Sequence, residues 1–323
     1  MKIARWTTGN DLGEGFIIDD HVVPFADGRT VADVLAGGLA AAHEEYAKVA
    51  QVAGTPLGQV QLRAPLQPAA VRDFTAFEEH VEGMSADENG APRVTSGWYE
   101  APAFYFTNPH IIHGPGGVIR PPVTTRLDYE LEVAVVLGGE PGENLDVASA
   151  ENHIFGYCIM NDWSARDIQV REMQVHLGPA KGKDFGTSLG PWIVTADELA
   201  DRLTGEGFLE LRVEAYINDE LVGEDLLSNM SWTFPELISY ASRASRVVPG
   251  DVIGSGTAGN GGCLGELWGR SGGTMNPPPL VEGDVVRLRV DGLGELAGTV
   301  GSPIAPHPLP EARRRAKPRA RHR

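Results

Sequence analysis

From residue 70 onward, the chain is a succession of short apolar runs separated by Gly, Pro and Asp, and this pattern restricts the possible folds more than any other feature. The runs that we predict to be strands are ELEVAVVLG, HIFGYCIMND, LGPWIVT, LELRVEAYINDEL, DVIGSG and DVVRLRVDGLGEL. Helical patterns are few, at 71–82, 146–152, 164–175 and 234–244. Because long helices do not alternate with the strands, a doubly wound parallel sheet is disfavoured and a mainly β or α+β fold is predicted.

The first 68 residues follow a different pattern. Residues 2–30 alternate apolar and polar side chains between Gly and Asp turns, which predicts short strands. Apolar residues at helical spacing then predict a helix over 30–54, with Thr30 as its cap. Residues 55–68 are broken by Pro and Gly, as in a linker. We therefore predict a small N-terminal α/β domain at 1–60, a main domain at 66–305 and a disordered basic tail at 306–323.

The charge distribution argues against nucleic acid as a general partner. The net charge is −17, and the last thirteen residues, EARRRAKPRARHR, carry seven Lys or Arg and one Glu, or +6. The rest of the chain therefore carries −23, and a body this acidic repels phosphate backbones. The tail alone could contact RNA, but its composition is more typical of a solvated, disordered segment.

The remaining composition points to the cytoplasm. No apolar stretch has the length of a membrane span, and the first sixteen residues lack the apolar block of a signal peptide. Only Cys158 and Cys263 occur, which argues against a disulfide framework and suits a reducing compartment. We expect a cytoplasmic protein without a membrane partner.

Acidic residues recur on one predicted strand, LDYELEV at 127–133. Side chains alternate along a strand, so Asp128, Glu130 and Glu132 are expected on one face. Either that face is a solvated sheet edge, or a cation lies over it. A further carboxylate, Asp162, ends the apolar run GYCIMND, where it could cap the next helix or supply an oxygen ligand. Hard divalent cations such as Mg²⁺ favour carboxylate ligands.

Several longer motifs resemble one known family. These are DFTAFEEH at 73–80, ELE at 130–132, IFGYCIMNDWSARDIQ at 154–169 and LGPAKGKDFGTSLGPWIV at 177–194. Together they resemble the fumarylacetoacetate hydrolase family from about residue 71 to about residue 300. The resemblance implies a mixed β-roll with a small N-terminal domain, and a homodimer. It also implies cleavage of a carbon–carbon bond in β-diketo acids, whereas some relatives decarboxylate, isomerise or hydrate similar compounds.

The resemblance also implies the site residues. A divalent cation, Mg²⁺ or alternatively Mn²⁺ or Ca²⁺, would be bound by four carboxylates: Asp73, Glu130, Glu132 and Asp162. The implied catalytic residues are His80 as general base, Glu266 as the carboxylate that orients it, and Lys183, Arg166 and Gln169. Tyr105, Thr257 and Gln169 would contact the diketo acid. One departure is Met173, where the enzyme that gives the family its name has a tyrosine.

The residues alone leave other interpretations open. A lone histidine such as His80 is usually solvated or structural, and a lysine such as Lys183 is usually on the surface. Arg166 and Gln169 lie three residues apart and could belong to a surface helix face. From the predicted helix at 71–82, His80 would lie two turns after Asp73 and on the same face.

A glycine motif offers a competing interpretation. Gly254, Gly256 and Gly259 form a GxGxxG pattern after a predicted strand. A dinucleotide site needs a helix directly after that pattern, and NGGCLGELWGRSGG is too rich in glycine to predict one. We therefore reject a dinucleotide site.

The resemblance implies that Asp73, His80 and Glu266 can make a nucleophilic water. For this reason we favour a C–C hydrolase over a decarboxylase, an isomerase or a hydratase, and over a non-catalytic metal-binding protein.

Overall fold

The computed structural model describes residues 1–87 and 89–315. The strands are β1 (Lys2–Thr8), β2 (Asp11–Ile18), β3 (His21–Pro24), β4 (Thr55–Pro56), β5 (Gln61–Arg63), β6 (Val71–Phe74), β7 (Phe104–Thr107), β8 (Ile112–His113), β9 (Gly117–Ile119), β10 (Leu127–Asp128), β11 (Leu131–Leu137), β12 (Gly142–Glu143), β13 (Ile154–Asp162), β14 (Ser164–Ala165), β15 (Thr187–Thr195), β16 (Arg212–Ile217), β17 (Glu220–Leu226), β18 (Arg246–Val247), β19 (Val252–Gly254), β20 (Val285–Val290) and β21 (Gly294–Val300). The α-helices are α1 (Val31–Val49), α2 (Glu78–Met84), α3 (Ser96–Glu100), α4 (Val147–Glu151), α5 (Arg166–Met173), α6 (Phe234–Ser242) and α7 (Leu264–Arg270). Short 3₁₀ helices lie at Ala26–Gly28, Leu57–Gln59, Ala196–Arg202 and Leu227–Asn229.

Most strands belong to two mixed sheets. The larger has the order β4-β3-β2-β1-β15-β13-β11-β19-β6-β7, with β5 beside β1 and β8 beside β15. The smaller has the order β17-β16-β20-β21-β9. Most neighbours are antiparallel, but β19 pairs with β6, β15 with β8, and β21 with β9 in parallel. The predicted mainly β, mixed β-roll class is therefore confirmed.

Strand β11 lies at the centre of the large sheet and is buried on both faces. Val133 and Val135 belong to the core between the two sheets, together with apolar residues of β20. Ala134 and Val136 belong to a second core, which α1 covers on the opposite face. Neither face of β11 is a solvated edge, so a charged group on this strand must find its partners inside the protein.

The N-terminal segment supplies one helix and five strands. Helix α1 matches the helix predicted over 30–54, and Thr30 forms a capping box with Asp33 at its start. The backbone kinks at Gly38 (φ +72°), where an added Cβ would lie 3.3 Å from Cα of Gly139. The predicted linker at 55–68 contains β4 and β5, and β1 pairs with both β5 and β15. The boundary of a separate N-terminal domain stays a prediction.

The helix predicted over 71–82 is wrong in its first half. Val71–Phe74 form strand β6, which lies between β19 and β7, and only Glu78–Met84 are helical. All four residues of β6 are buried, so pairing with distant strands outweighs the local helical pattern. Asp73 is therefore on a strand, and its relation to His80 is not that of two helical turns.

The predicted strand at 127–133 is interrupted. Leu127–Asp128 pair with β14, whereas β11 begins only at Leu131 and pairs with β13 and β19. Between them, the Glu130 amide donates to the side chain of Asn161 (3.0 Å). The predicted strand is therefore broken between Asp128 and Glu130, although both carboxylates pair with Arg166.

The glycine-rich segment after β19 does contain a helix, which corrects the expectation of none. Helix α7 begins ten residues after Gly254, with the Cys263 side chain accepting a hydrogen bond from the Glu266 amide (3.3 Å). The Asp128 carboxylate accepts from the Leu264 and Gly265 amides (2.8 Å each). These tertiary contacts compensate for the poor helix propensity of glycine.

The longest helix and the C-terminal tail bear on two further predictions. The longest helix in the described part of the chain, α1, is not apolar enough to cross a membrane, and neither is any shorter one. Residues 306–315 are exposed and have no regular secondary structure. The rest of the predicted disordered tail, 316–323, lies outside the described residues.

The cap of α1 gives a stability test. Thr30→Ala removes the side-chain acceptor of the capping box, so the free energy of unfolding should fall by about 1 kcal/mol. Thr95 precedes α3 but makes no cap hydrogen bond, so Thr95→Ala is the matched control. Urea unfolding would measure both variants. Equal losses in the two would show that the Thr30 hydrogen bonds do not stabilise the protein.

Candidate active site

A cavity of about 700 Å³ opens among the ends of β6 and β11 and the helices α2, α5 and α7. Nine of the eleven predicted site residues line it: Asp73, His80, Tyr105, Glu130, Glu132, Arg166, Gln169, Lys183 and Thr257. The other two, Asp162 and Glu266, are fully buried behind lining residues. The structure thus brings together residues that lie up to 193 positions apart in the sequence, from Asp73 to Glu266.

Three carboxylates lie at the centre of this cavity. One oxygen each of Asp73, Glu130 and Glu132 fall within 4.8 Å of one another, and we call these three residues the carboxylate cluster. Asp73 is on β6 and Glu132 on β11, and β19 runs between these two strands. On β19, an added Cβ at Gly254 would overlap Asp73 Oδ1 and lie 2.8 Å from Glu132 Oε2. Only glycine leaves room for the cluster at this position.

Two cations hold Glu130. Arg166 Nη1 lies 2.7 Å from Oε1, and Lys183 Nζ lies 2.5 Å from Oε2. Lys183 also reaches Asp162 Oδ2 at 2.6 Å, and the Tyr105 hydroxyl donates to the same oxygen. Lys183 is 3% exposed, so the surface-lysine interpretation is wrong. Arg166 is likewise buried at the start of α5 and is not part of a surface helix face.

The environment shifts the carboxyl pKa values in opposite directions. Burial raises the pKa of Asp73, and burial together with the Asp73 charge raises that of Glu132 well above its usual value. Burial also raises the pKa of Asp162, although Lys183 opposes the shift. For Glu130, burial is outweighed by Lys183 and Arg166, which lower its pKa. Glu130 is therefore the carboxylate that remains ionised without further positive charge.

The donor set fits a hard divalent cation. Asp73 Oδ1, Glu132 Oε2 and Asp162 Oδ1 are buried and have no hydrogen-bond partner among the described residues. Buried polar atoms are normally paired, so three such oxygens in one place require an explanation. Together with Asp128 and Glu130 these groups make five carboxylates against two cations, Arg166 and Lys183. A divalent ion bound by oxygen ligands would compensate most of this excess negative charge.

Asp128 is a residue whose function the sequence pattern did not reveal. It is fully buried, and its Oδ2 lies 2.8 Å from both Nε and Nη2 of Arg166. Its two oxygens also accept from the Leu264 and Gly265 amides at the start of α7. Asp128 therefore joins the helix that carries Glu266 to the arginine that holds Glu130.

His80 lies on α2 and is 7% exposed at the cavity wall, so the solvated interpretation of this residue is wrong. Its Nδ1 is 3.8 Å from Glu266 Oε2, which is an ion-pair contact but longer than a hydrogen bond. Arg270 Nη2 lies 2.9 Å from the other oxygen of Glu266. The carboxylate therefore has both a histidine and an arginine beside it.

Gln169 and Thr257 complete the polar side of the cavity. Gln169 Oε1 accepts from Arg166 Nη1 (3.2 Å), one turn before it on α5. The Thr257 hydroxyl is 3.5 Å from Glu132 Oε1, in the loop between β19 and α7. The loop that carries the GxGxxG pattern therefore places a hydroxyl beside a buried carboxylate.

Part of the cavity lining is apolar and was not predicted. We call it the apolar wall: Val81, Met84, Phe104, Val170, Met173 and Met275. Helical spacing could have revealed part of it, because Met84 follows His80 by four residues, Val170 follows Arg166 by four, and Met173 follows Gln169 by four.

Comparisons with known proteins give a consistent family assignment. The family described as fumarylacetoacetate (FAA) hydrolase C-terminal matches residues 69–301. A fumarylacetoacetase of Arabidopsis thaliana is 29% identical over 307 residues, covering 78% of this chain and 73% of the plant protein. An oxaloacetate tautomerase of Bacillus subtilis is 27% identical over 324 residues, covering 93% of this chain and 100% of that protein.

A solved structure extends the similarity to the whole fold. The fumarylacetoacetate hydrolase of the psychrophilic Exiguobacterium antarcticum superposes with a TM-score of 0.72 at 26% identity. The match covers 94% of this chain and 99% of that one. Since the relatives include both a hydrolase and a tautomerase, similarity alone leaves the reaction of this chain open.

The close approach at Gly254 gives a test of the carboxylate cluster. Gly254→Ala should push Asp73 and Glu132 apart, at a cost of about 1–3 kcal/mol in the free energy of unfolding, and should abolish stabilisation by added Mg²⁺. An added Cβ at Gly97 meets nothing within 4 Å, so Gly97→Ala is the control. Thermal unfolding with and without Mg²⁺ measures both effects. A normal Mg²⁺ shift in Gly254→Ala would contradict this geometry.

The raised pKa values of Asp73, Glu132 and Asp162 predict how pH affects stability. A carboxyl whose pKa is raised on folding stabilises the protein at low pH, and that stability is lost as pH rises from its unfolded pKa through its folded one. The metal-free protein should therefore lose stability above the ordinary carboxyl range. Because cation binding needs the ionised groups, the rise in Tm caused by Mg²⁺ should grow between about pH 5 and about pH 8. NaCl at equal ionic strength is the control, and a Mg²⁺ effect that shrinks with pH would contradict the prediction.

Proposed function

The chain belongs to the fumarylacetoacetate hydrolase family, and on this basis we propose that it is a divalent-metal-dependent hydrolase that cleaves a C–C bond in a β-diketo acid. The substrate would be fumarylacetoacetate-like or acylpyruvate-like. The observation that supports hydrolysis best is the His80–Glu266 pair, which lies at the wall of the cavity that contains the carboxylate cluster. A base beside an oxygen-ligand site is what activation of water requires.

The proposed ligands are the carboxylate cluster and Asp162. Their unpartnered buried oxygens and the excess of carboxylates over cations support this set. We propose Mg²⁺, with Mn²⁺ or Ca²⁺ as alternatives, because all three favour oxygen ligands. When bound, such an ion supplies Lewis-acid polarisation of the substrate carbonyl and compensates charge on its oxygens.

His80 is the proposed general base. It takes a proton from water onto its imidazole ring, and the resulting hydroxide attacks the acyl carbonyl carbon of the diketo acid. Glu266, 3.8 Å away, stabilises the imidazolium that forms and limits rotation of the ring. The bond between the acyl carbon and the adjacent CH₂ then breaks, and the CH₂ carbon takes a proton. The products are a carboxylic acid and an oxo acid, which is a 2-oxo acid when the substrate is an acylpyruvate.

Lys183, Arg166 and Gln169 are the proposed electrostatic groups. The charges of Asp162 and Glu130 outweigh the effect of burial and raise the pKa of Lys183, so its ammonium is charged throughout the neutral range. A fixed positive charge in a buried cavity stabilises negative charge that develops on substrate oxygens. Arg166 fixes Glu130 and places Gln169, whose amide is left to donate to the substrate.

Tyr105 and Thr257 are the proposed substrate contacts. Burial and the neighbouring carboxylates raise the pKa of Tyr105 well above its usual value, so its hydroxyl stays protonated and donates to Asp162 at the cavity wall. Thr257 lines the cavity from the loop opposite. We also propose a cytoplasmic homodimer, on the resemblance alone.

A second candidate is a metal-dependent tautomerase, isomerase, decarboxylase or hydratase of a related 2-oxo acid. The similarity to an oxaloacetate tautomerase over that protein's full length favours it. The 3.8 Å contact of His80 with Glu266, and the arginine that shares this carboxylate, also suit a reaction without an attacking water. A non-catalytic metal-binding protein is the remote alternative.

Replacement of His80 separates these candidates. His80→Ala should lower kcat for hydrolysis of an acylpyruvate roughly a hundredfold or more, because a general base is lost. Glu266→Gln should reproduce part of this loss. His43→Ala is the control, since His43 is exposed on α1 and its ion pair, with Asp197, lies outside the cavity. Product analysis in the presence of Mg²⁺ separates the reactions. A hydrolase converts an acylpyruvate into two acids, whereas the second candidate tautomerises or decarboxylates oxaloacetate. Near-normal hydrolysis by His80→Ala would overturn the proposed mechanism while leaving the metal site standing.

A further inference from the structure

The cavity lining contains two chemically different groups of residues. The carboxylate cluster, Lys183 and Arg166 form one group and are buried. The apolar wall forms the other, and its outer members are well exposed: Met84 (38%), Val170 (53%), Met173 (54%) and Met275 (44%). The polar groups are therefore deep, and the apolar groups are at the mouth. A ligand that reaches from the metal-binding end to the mouth meets both environments.

The positive charges are concentrated at the polar end. Among the described residues, three cationic side chains line the cavity: Arg126, Arg166 and Lys183. Arg166 and Lys183 are already paired with buried carboxylates. Arg126 is exposed and has no ion pair among the described residues, and its backbone carbonyl accepts from the Arg166 amide (2.9 Å). No cation belongs to the apolar wall itself.

One helix contributes to both groups. Helix α5 begins with Arg166 and Gln169 at the polar groups and continues with Val170 and Met173 on the apolar wall, one turn further along. Its direction is therefore the direction in which an extended ligand would run, from the head bound near Arg166 to the tail beside Met173.

We propose that the substrate carries an apolar acyl tail, aliphatic or aromatic, that packs on the apolar wall, and does not carry a second carboxylate at that end. This inference rests on the function proposed above for the head of the substrate. A carboxylate at the wall would lose hydration without gaining a partner, whereas an apolar tail would gain from burial. Three of the six wall residues are methionines, which adapt their shape to different apolar groups, so tails of more than one shape fit.

The test compares matched ligands in the presence of Mg²⁺. Two acylpyruvates share one skeleton and differ only at the tail end, which is a carboxylate in one and the isosteric isopropyl group in the other. We expect kcat/KM to be at least about tenfold higher for the isopropyl compound, because no wall residue offsets the loss of hydration of a carboxylate. Within a series of straight aliphatic tails, kcat/KM should rise up to about fourfold per methylene group until the wall is covered.

A second readout separates this inference from the proposed reaction. The corresponding pair of 2-oxo acids without the second carbonyl group cannot be cleaved, and calorimetry measures their binding directly. If the isopropyl ligand binds at least about tenfold more tightly but neither acylpyruvate is cleaved, the apolar-tail inference holds and the hydrolase proposal fails. If the carboxylate-tailed ligand binds as well or better, or if neither ligand binds, the inference is overturned whatever the turnover.

A substitution on the wall completes the test. Met173→Lys places a cation where the tail would end, and Met173 is exposed enough for the variant to fold. The preference for the isopropyl ligand should fall at least about tenfold in this variant. Val52→Lys is the control, because Val52 is similarly exposed (52%) and does not line the cavity. An unchanged preference in Met173→Lys would overturn the assignment of the wall as the tail site.

Discussion

The central constraint on this protein is the burial of several carboxylates in one small volume. Removing an ionised carboxylate from water is costly unless charged or hydrogen-bonding partners replace the water. Glu130 meets this condition through Arg166 and Lys183. Asp162 meets it through one oxygen, Oδ2, which pairs with Lys183, whereas its Oδ1 has no partner among the described residues. The surrounding structure serves the same need. Gly254 leaves space for Asp73 and Glu132, and the break in the sheet before β11 lets Glu130 turn toward its cations.

The same charges fix the relative positions of helices that have little else in common. Asp128 binds Arg166 on α5 and the first amides of α7, so the two helices share one buried carboxylate. Glu266 then brings α7 to His80 on α2. The three helices around the cavity are thus connected through ion pairs and hydrogen bonds beneath the cavity floor. Removing one partner of such a buried pair leaves an uncompensated charge, and that is far more damaging than the loss of an exposed pair.

The sequence was informative where local rules decide the structure. Thr30 and the apolar spacing after it predicted α1, and the alternation after residue 70 predicted the mainly β fold. It was misleading where distant partners decide. Residues 71–74 are a strand because β19, about 180 positions later, pairs with them, and α7 forms because Asp128 caps it. The residues adjacent to 71–74 and 264–270 in the sequence do not indicate these distant partners.

The predicted site shows the same division between local and distant information. The family motifs identified the carboxylates and cations that meet in the cavity, and membership of the family is confirmed. The prediction of one continuous strand over 127–133 is wrong because the strand breaks between Asp128 and Glu130, although both carboxylates pair with Arg166. The apolar wall was missed because its residues belong to four separate segments and match no motif. The roles of the predicted residues stay predictions.

Helix α5 has a consequence for how such a protein could diversify. Its first residue, Arg166, is buried and bonded to Asp128, Glu130 and Gln169, whereas its second turn carries the half-exposed side chains of Val170 and Met173. A change of one residue in the second turn therefore alters the cavity mouth while the ion pairs below stay in register. Residues that hold the charged groups and residues that shape the cavity mouth lie only a few positions apart on α5, yet substitutions are tolerated far better at the mouth. A lineage built on this arrangement could exchange one substrate for another in single steps, without passing through an inactive protein.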